Sequence, residues 1–493
     1  MSHPSWHDTD AYNELEPMST LVSDLAESED VGAHFYRGLA GRRRKAAVAL
    51  TIVWSSTFAL HLFSWGYWVV LGLTTLMSVH LLRLLVARAK SMPDPLAEAD
   101  PAKLPFVSLM VAAKNEESVI APLVRALCQV DYPANRYELW VIDDHSTDRT
   151  PQVLDQLKAE YPQLKVLRRA AEAGGGKSGA LNQACSLASG DIIGVFDADA
   201  QVPSDMLRRV LTLFQQPKIG AVQVRKAIAQ AERDPNVSNL WLQGQVAEMA
   251  IDSFYQQQRI AIGGVGELRG NGMFVRREAL DQCGSWNEET ITDDLDLTFR
   301  LHLAGWDIDF LMHPAVVEEG VTKATSLWHQ RNRWAEGGYQ RYLDYWRLII
   351  RNRLGLRKTM DLLAFFLLQY ILPTATVPDL VMAIARSRAP MLAPMTSLSV
   401  IMSMVGMYAG LRRIQKQQAR RSDGTRSVAL AWRALRQSAW GTAYMLHWLP
   451  VMASTTARIS VRPKRLKWVK TAHHGSEDLW LDVSEQLELK SKG

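Results

Sequence analysis

Only three of the 493 residues are cysteine, Cys128, Cys185 and Cys283, and none stands in a CxxC or Cys/His spacing. That argues against a zinc module and leaves three separate reduced thiols, expected to be buried, as in a cytosolic compartment. An apolar core near the start of the chain is also missing. The stretch through Asp30 is polar and acidic, so a cleaved secretory leader is not expected. A third absence concerns phosphate loops. Gly174-Gly175-Gly176-Lys177-Ser178 invites that reading, but the strict signature requires glycine at position 171, where Ala171 stands. An ATPase of that class is therefore excluded, although a lysine beside a glycine turn and helix start still suits a diphosphate. Finally, the formal charge of +5 comes with no nucleic-acid-binding module, and nucleic acid is not an expected partner. The basic residues flank apolar segments instead, which is how membrane proteins mark their cytoplasmic side.

What is present divides the chain into six parts. Residues 1–41 read as a mobile tail. Arg42-Arg43-Arg44-Lys45 then introduces an apolar block from Ala46 to about Val86. A break near Ser64-Trp65-Gly66 splits it into two segments of roughly 20 residues, each long enough to span a bilayer. Arg83, Arg88 and Lys90 close the block, so 42–90 is expected to be a transmembrane hairpin with both ends facing the cytoplasm. A Pro-containing linker follows.

From 104 to 337 short apolar runs alternate with helical stretches. FVSLMVAA, YELWVIDD, KVLRR, DIIGVFDAD and IGAVQVRKAI read as strands, and helices begin near Glu117, Thr150, Ser178 and Pro203. This alternation predicts an α/β fold, a Rossmann-like, doubly wound and mostly parallel sheet with ligands outside the strands' carboxyl ends. Residues 338–358 are amphipathic, with Tyr339, Leu343, Trp346 and Ile350 at helical spacing, and are expected to lie in the membrane interface. A C-terminal membrane region, 359–458, holds spanning segments from Asp361 to about Ala385 and from Met391 to about Leu411. Pro373 and Pro378 should bend the first. Ala439 to Thr456 is a further span, but basic residues on both sides of it conflict with a single crossing. Residues 428–456 therefore form either a hairpin or a partly interfacial segment. A basic tail, 459–493, ends the chain.

Four short motifs carry the chemistry: Asp143-Asp144 in VIDDHSTD, Asp197-Ala198-Asp199 in VFDADA, Asp293-Asp294 in TDDLD, and Gln330-Arg331-Asn332-Arg333-Trp334. The first two close buried strands. Two carboxylates separated by one small residue at a strand end can share a hard divalent ion such as Mg²⁺ or Mn²⁺, though a polar turn has the same composition. The stretch DHSTDRTP also reads as a helix start, so one of Asp143 and Asp144 could contact a base or ribose while Ser146 or Asp148 caps the helix. Thr292-Asp293-Asp294 reads as a helix start with Thr292 as cap; acidic residues are stabilising there, and one aspartate could act as general base. Arginine beside tryptophan suits phosphate and a sugar or lipid.

In this order these residues resemble the inverting family 2 glycosyltransferases, the group containing cellulose, chitin and hyaluronan synthases, over about Leu104 to Trp334. The resemblance implies a GT-A catalytic domain with flanking transmembrane helices and a metal-dependent reaction on a UDP-sugar. By it, Asp143 and Asp144 hold uridine, Lys177 lies near the diphosphate, and Asp197 and Asp199 hold donor and Mg²⁺ or Mn²⁺. Asp294 is the catalytic base, and Gln330, Arg333 and Trp334 match the QxxRW signature, Arg333 assisting at the diphosphate and Trp334 at the acceptor mouth. The common Thr-Glu-Asp is Thr292-Asp293-Asp294 here, so which carboxylate acts stays open. The short C-terminal membrane region resembles that of cyanobacterial members which transfer glucose from UDP-glucose to diacylglycerol in the plasma or thylakoid membrane. Two alternatives remain: a processive polysaccharide synthase with an export channel, and a catalytically silent scaffold or sugar-nucleotide sensor. No motif distinguishes glucose from galactose.

Overall fold

The computed structural model describes residues 41–92, 94–96, 104–234, 238–419 and 427–461. The expected N-terminal tail and nearly all of the basic C-terminal tail lie outside the described residues, as does part of the linker.

In chain order the elements are helices α1 (Arg42–Leu62) and α2 (Gly66–Val86), strand β1 (Val107–Ala113), α3 (Ile120–Cys128), β2 (Tyr137–Asp143), α4 (Thr150–Glu160), β3 (Leu164–Arg168), α5 (Gly176–Leu187), β4 (Ile192–Phe196) and α6 (Met206–Leu213). There follow β5 (Ile219–Ile228), α7 (Ala229–Arg233), α8 (Leu240–Ala261), β6 (Met273–Arg276), α9 (Arg277–Gln282), α10 (Asp293–Leu303), β7 (Asp307–Glu318) and α11 (Ala324–Ile350). The last five helices are α12 (Leu356–Phe366), α13 (Leu372–Ala385), α14 (Ala393–Ala419), α15 (Ser427–Met445) and α16 (Trp448–Val461).

The strands form one seven-stranded sheet in the order β3-β2-β1-β4-β6-β5-β7. It is the doubly wound, mostly parallel GT-A-like sheet that was expected, made mixed by β6. β1 to β4 run parallel, β6 is antiparallel to both β4 and β5, and β7 runs parallel to β5. The central strands are buried and mostly apolar because helices cover both faces; the buried polar pair Ser108 and Glu138 bond each other, Oγ to Oε1 at 2.6 Å. Leu123, Val124, Leu154 and Val210 pack on one side, and Ala180, Leu181, Leu297 and Leu301 on the other. Strand order reverses at β1, which lies between β2 and β4, so a crevice opens at their carboxyl ends. Register pairs Ala113 with Asp143 and Val111 with Phe196, bringing the first two acidic motifs to that crevice on neighbouring strands. All three cysteines are buried and in no disulfide; burial pushes the Cys128 and Cys283 thiols up to about 12.

The short helices α7 and α9 have no counterpart in the sequence reading, and neither do three other elements. β6 is only four residues long, too short to show alternation. β7 runs through Pro314, where a register shift between Leu311 and Val316 breaks its regular pairing with β5. The 22-residue α8 lacks a clean apolar stripe because its inward positions include glutamines with backbone partners. Gln245 Nε2 donates to Val321 O at 2.7 Å, and Gln256 Nε2 donates to Glu267 O at 2.9 Å.

Among the described residues four helices are long and apolar enough to cross a membrane: Arg42–Leu62, Gly66–Val86, Leu356–Ala385 and Ala393–Gln417. The first two form a hairpin whose turn exposes Phe63, Trp65, Tyr67 and Trp68, aromatics of the kind found at membrane–water interfaces. Both open ends of the hairpin return to the sheet domain. Arg42 grips Asp344 of α11 through two bonds, Nε to Oδ1 at 2.7 Å and Nη2 to Oδ2 at 2.5 Å. Gln258 of α8 donates to Leu84 O at 2.5 Å and Ala87 O at 2.8 Å. The third span is α12 and α13 joined by a π turn, Leu367–Ile371. Pro373 has no N–H, and the turn widens just before it: Leu372 N–H bonds Leu367 O, five residues back.

The expected boundary between 337 and 338 falls inside one 27-residue helix, α11. Its Tyr339, Leu343 and Ile349 pack on Ala46, Leu362 and Val451, while Ile350 is exposed. Nothing breaks this helix at Gly337-Gly338; both glycines are there because neighbours come close. A Cβ on Gly337 would collide with Thr292, and one on Gly338 with the Tyr370 hydroxyl. The further span expected over Ala439–Thr456 is instead divided at Leu446-His447, where α15 gives way to α16. α15 packs along α8 and α14 and is not among the four helices apolar enough to span.

The Arg42–Asp344 pair is buried on both sides, with side-chain exposures of 8% and 2%. Arg42→Met should lower stability by about 3–5 kcal/mol, because it strands a buried carboxylate. The double variant Arg42→Met/Asp344→Leu should recover most of that loss. Thermal unfolding in detergent reads both.

Candidate active site

The crevice opens into a cavity of about 970 Å³. Its walls include Asp144, Lys177, Asp197, Asp199, Asp293, Asp294, Gln330, Arg333 and Trp334, so four motifs spread over some 190 residues of chain meet on one space. Asp143 stands just behind the wall. It is buried at the end of β2, and its Oδ1 accepts the Ser146 N–H at 3.0 Å, shaping the turn that presents Asp144. Asp148 Oδ1 accepts the Thr150 N–H at 2.9 Å and so stabilises the start of α4.

At the sheet end, Asp144 Oδ1 accepts from Arg169 Nη1 at 2.5 Å. The same guanidinium donates to the carbonyl oxygens of Gly174 at 2.5 Å and Gly176 at 3.3 Å, strapping the glycine turn to the end of β2. Gly175 and Gly176 have φ of 78° and 52°, and a Cβ on Gly175 would collide with the Glu288 carboxylate. The turn thereby launches α5 with Lys177 aimed at Asp197, Nζ to Oδ1 at 2.5 Å. Burial disfavours charge on Lys177, but Asp197, Asp293 and Asp294 outweigh it and hold the ammonium well above the ordinary lysine value. Asp199 Oδ2 accepts the Glu319 N–H at 3.2 Å, and the Asp197 N–H donates to Asn271 Oδ1, also at 3.2 Å.

Asp293 and Asp294 form the first turn of α10. Thr292 occupies the cap position, yet its side chain makes no capping hydrogen bond; it is pressed against Gly337 of α11 instead. Asp294 Oδ1 takes the Leu295 N–H at 2.8 Å. Burial and then the charge of Asp293 push the Asp294 carboxyl up to about 6, against the pull of Leu295 N–H, Lys177 and Arg269. Arg333 faces the same carboxylates: burial lowers its pKa, opposed by Asp197, Asp294 and Asp293.

Arg331, passed over as a spacer in the sequence reading, is fully buried and borders the cavity. Its guanidinium lies 4.1 Å from the Trp334 ring centroid, donates Nη1 to Gln330 Oε1 at 2.6 Å, and pairs with Glu248 of α8. Glu248 also accepts from Trp448 Nε1 at 2.8 Å and Tyr444 OH at 3.2 Å. Lys226 Nζ stands 5.5 Å from the Trp334 centroid, so two cations flank that indole. Asn332 turns the other way and accepts from Arg458 at 2.5 Å. No pattern in the sequence signals Glu248 or Arg169; Arg169 could only have been noticed as a charge at the end of a strand.

Beyond Trp334 the cavity continues between the apolar helices. Leu81 and Leu84 of α2, Phe365 of α12, Leu372 and Pro373 of α13, and Met402 of α14 line it. One continuous space therefore joins the carboxylates and cations to a chamber walled by membrane-type helices.

The model of the glycosyltransferase like family 2 matches residues 105–337. The chain is 60% identical over 478 residues to the beta-monoglucosyldiacylglycerol synthase of Nostoc sp., covering 96% of this chain and 99% of that one. It is 52% identical over 491 residues to the Synechocystis sp. protein of the same name, covering 98% of each. Among solved structures, a mannosyltransferase from Pyrobaculum calidifontis in complex with GDP-Man and Mn²⁺ aligns with 83% of this chain and 99% of its own, at 21% identity and a TM-score of 0.49. Relatives that match it almost from end to end, and a family model that spans the whole sheet domain, make this chain a glycosyltransferase that belongs to the glycosyltransferase like family 2.

Proposed function

We propose that the protein transfers glucose from UDP-glucose to the free hydroxyl of 1,2-diacylglycerol, with inversion, giving β-monoglucosyldiacylglycerol. The observation that carries this reading is the single cavity running from Asp197 and Asp294 into the apolar chamber: a lipid acceptor can stay among the helices while its hydroxyl meets the donor. The two relatives named for this reaction, at 52–60% identity, support it. The four apolar helices cross the bilayer with the sheet domain on the cytoplasmic side, where Arg42-Arg43-Arg44 and Arg83, Arg88 and Lys90 cluster. The end of α11, carrying Arg347 and the exposed Ile350, lies at the membrane surface.

In the reaction, the acceptor oxygen attacks the anomeric carbon from the face opposite UDP. Its proton passes to Asp294, the C–O bond to the diphosphate breaks, and UDP leaves. Asp144, on the turn shaped by Asp143, serves the uridine part of the donor. Lys177 and Arg333 bring positive charge to the diphosphate, while Gln330 and Trp334 border the passage from donor to acceptor. Asp197 and Asp199 would hold a divalent ion. They are hard oxygen donors on the cavity wall. That fits Mg²⁺ or Mn²⁺, which take one or two carboxylates and complete their shell with substrate phosphate and water. When bound, such an ion neutralises charge on the departing diphosphate.

Purified protein given labelled UDP-glucose and diacylglycerol should yield a chloroform-soluble product with one sugar. An insoluble polymer would favour a processive synthase, and absence of UDP release would favour a silent scaffold. Asp294→Asn should lower turnover by about 10²–10⁴-fold; near wild-type turnover would remove Asp294 from the base role. A base must be deprotonated to act, so with its carboxyl at about 6 the rate should hold above that pH. Below it the rate should fall by about tenfold per unit. Chelation with EDTA should abolish turnover and added Mg²⁺ or Mn²⁺ restore it; unchanged turnover in EDTA would remove the metal.

A further inference from the structure

Glu248 stands on the cavity face of α8, and the reaction derived above gives it no task. Its side chain is mostly buried, at 13% exposure, and takes donors from three other helices. Oε2 pairs with Arg331 Nη2 of α11 and accepts from the Tyr444 hydroxyl of α15 at 3.2 Å. Oε1 accepts from Trp448 Nε1 of α16 at 2.8 Å. The neighbouring chain makes room for this meeting. A Cβ on Gly244, one turn earlier in α8, would collide with the Tyr444 ring, so glycine lets α15 approach until its hydroxyl reaches Glu248. The division of the chain at Leu446-His447 then makes Trp448 the first residue of α16, beside the same carboxylate.

Arg331 carries the constraint onward. Residues three apart on a helix are neighbours, and its guanidinium carbon lies 4.1 Å from the Trp334 ring centroid. The Trp448 centroid is 5.9 Å from the same carbon, so one guanidinium serves both indoles while Nη1 donates to Gln330 Oε1 at 2.6 Å. A planar guanidinium can stack on aromatic rings and hold a carboxylate at once. Gln330, Arg331, Trp334 and Trp448 all line the cavity. Arg331 thus has Glu248 as its counter-ion, whereas Arg333 in the same motif faces Asp197, Asp294 and Asp293. A largely buried ion pair is a weak source of stability. What this one supplies is direction, because it fixes two indole rings and an amide at one point of the cavity wall.

We propose that Glu248 is a positioning residue for the acceptor. It holds Trp448 directly and Trp334 through Arg331, so that the two indoles form a fixed collar where the apolar chamber meets the donor crevice. The inference rests on the lipid-acceptor reading above, with Trp334 on the acceptor side. Indoles suit that place, since they are large, rigid and apolar with one polar edge. Alkyl chains offer the chamber no hydrogen bonds, so its walls hold the lipid without aiming its hydroxyl. A rigid collar restricts the approach of that hydroxyl, and such orientation is a large part of a reaction between two bound substrates. The Glu248 oxygens are taken up by Arg331, Tyr444 and Trp448, so its effect passes through those side chains.

The test uses the full-length protein in detergent micelles with UDP-glucose and diacylglycerol. It compares wild type, Glu248→Gln, Arg331→Met and the double variant Glu248→Gln/Arg331→Met, measuring kcat, the KM for each substrate and thermal unfolding. A hydrogen bond to a charged group is worth about 10- to 150-fold. Each single variant should lower kcat/KM for diacylglycerol by that factor and leave the KM for UDP-glucose unchanged. Each also strands one charge and should lower the unfolding temperature, whereas the double variant strands none and should regain it. The collar is still unheld in the double variant, so its kcat/KM for diacylglycerol should stay at the level of the singles. Recovery of acceptor use together with the unfolding temperature would overturn the proposal, since Glu248 would then be structural only. Losses that multiply in the double variant would overturn it too, because the two residues would then act separately. So would a Glu248→Gln acceptor kcat/KM within about twofold of wild type, or a KM for UDP-glucose that rises in step. If wild type makes no lipid product at all, the lipid-acceptor reading itself falls and this inference with it, a result read on the unsubstituted protein and so distinct from the others.

Discussion

A single buried carboxylate joins the parts of this protein. Glu267 is fully buried and meets three arginines: Arg269 Nη2 at 2.9 Å, Arg341 Nη1 at 3.2 Å and Arg259 Nη1 at 3.4 Å. Each arginine comes from a different element. Arg259 ends α8 and also binds Asp361 in the third span. Arg341 belongs to α11, and Arg269 stands in the approach to β6, where it also binds Asp252 at 2.7 Å. The arginines hold the Glu267 carboxyl far below the usual carboxylate range despite its burial. Three carboxylates against three guanidinium groups balance in charge, which a buried ionic cluster requires if it is not to destabilise the fold. Removing any one leaves charge stranded between the sheet and the membrane helices.

Around this node the chemical and membrane halves share walls. α11 carries Arg331, Arg333 and Trp334 at one end and Asp344, the partner of Arg42, farther along. α8 reaches the cavity with Glu248 and Asp252 and returns the open end of the hairpin through Gln258. The start of α10, with Asp293 and Asp294, is held down by Gly337 of α11, and the π turn presses the same region through Gly338. Donor site, base and apolar chamber are thus built on the same few helices, and a lipid need not leave the chamber to react. Misplacement of such a group by about 1 Å can cost about 10²-fold in rate, which gives the close glycine contacts a functional reason.

Much of this was legible in the sequence, and the reasons are local. β1, β2 and β4 announce themselves as buried apolar runs, the last two closed by aspartates. The hairpin is bounded by basic clusters and broken at Ser64-Trp65-Gly66, and Pro373 marks the bend in the third span. Other parts were not legible. α8 hides its period behind buried glutamines whose partners, Val321 O and Glu267 O, are distant in sequence. Arg331 and Arg333 are two residues apart in one motif, yet one pairs with Glu248 while the other faces the carboxylates. Thr292 reads as a cap but works as a packing surface. The division of 439–456 into two helices follows from the packing of α15 on α8 and α14, which no local pattern encodes.

By itself the sequence determined which groups are available and roughly where each sits along a strand or helix, because period and capping depend on neighbours within a few residues. It therefore settled the aspartates at strand ends, the apolar lengths and the family resemblance. Tertiary structure alone decided which groups meet. Asp144 is strapped to the glycine turn by Arg169, Lys177 reaches Asp197, and Glu267 collects three arginines from separate elements. It also decided that the donor crevice and the lipid-facing chamber are one space. Those are long-range facts, set by how a twisted sheet and a bundle of helices close over shared buried charge.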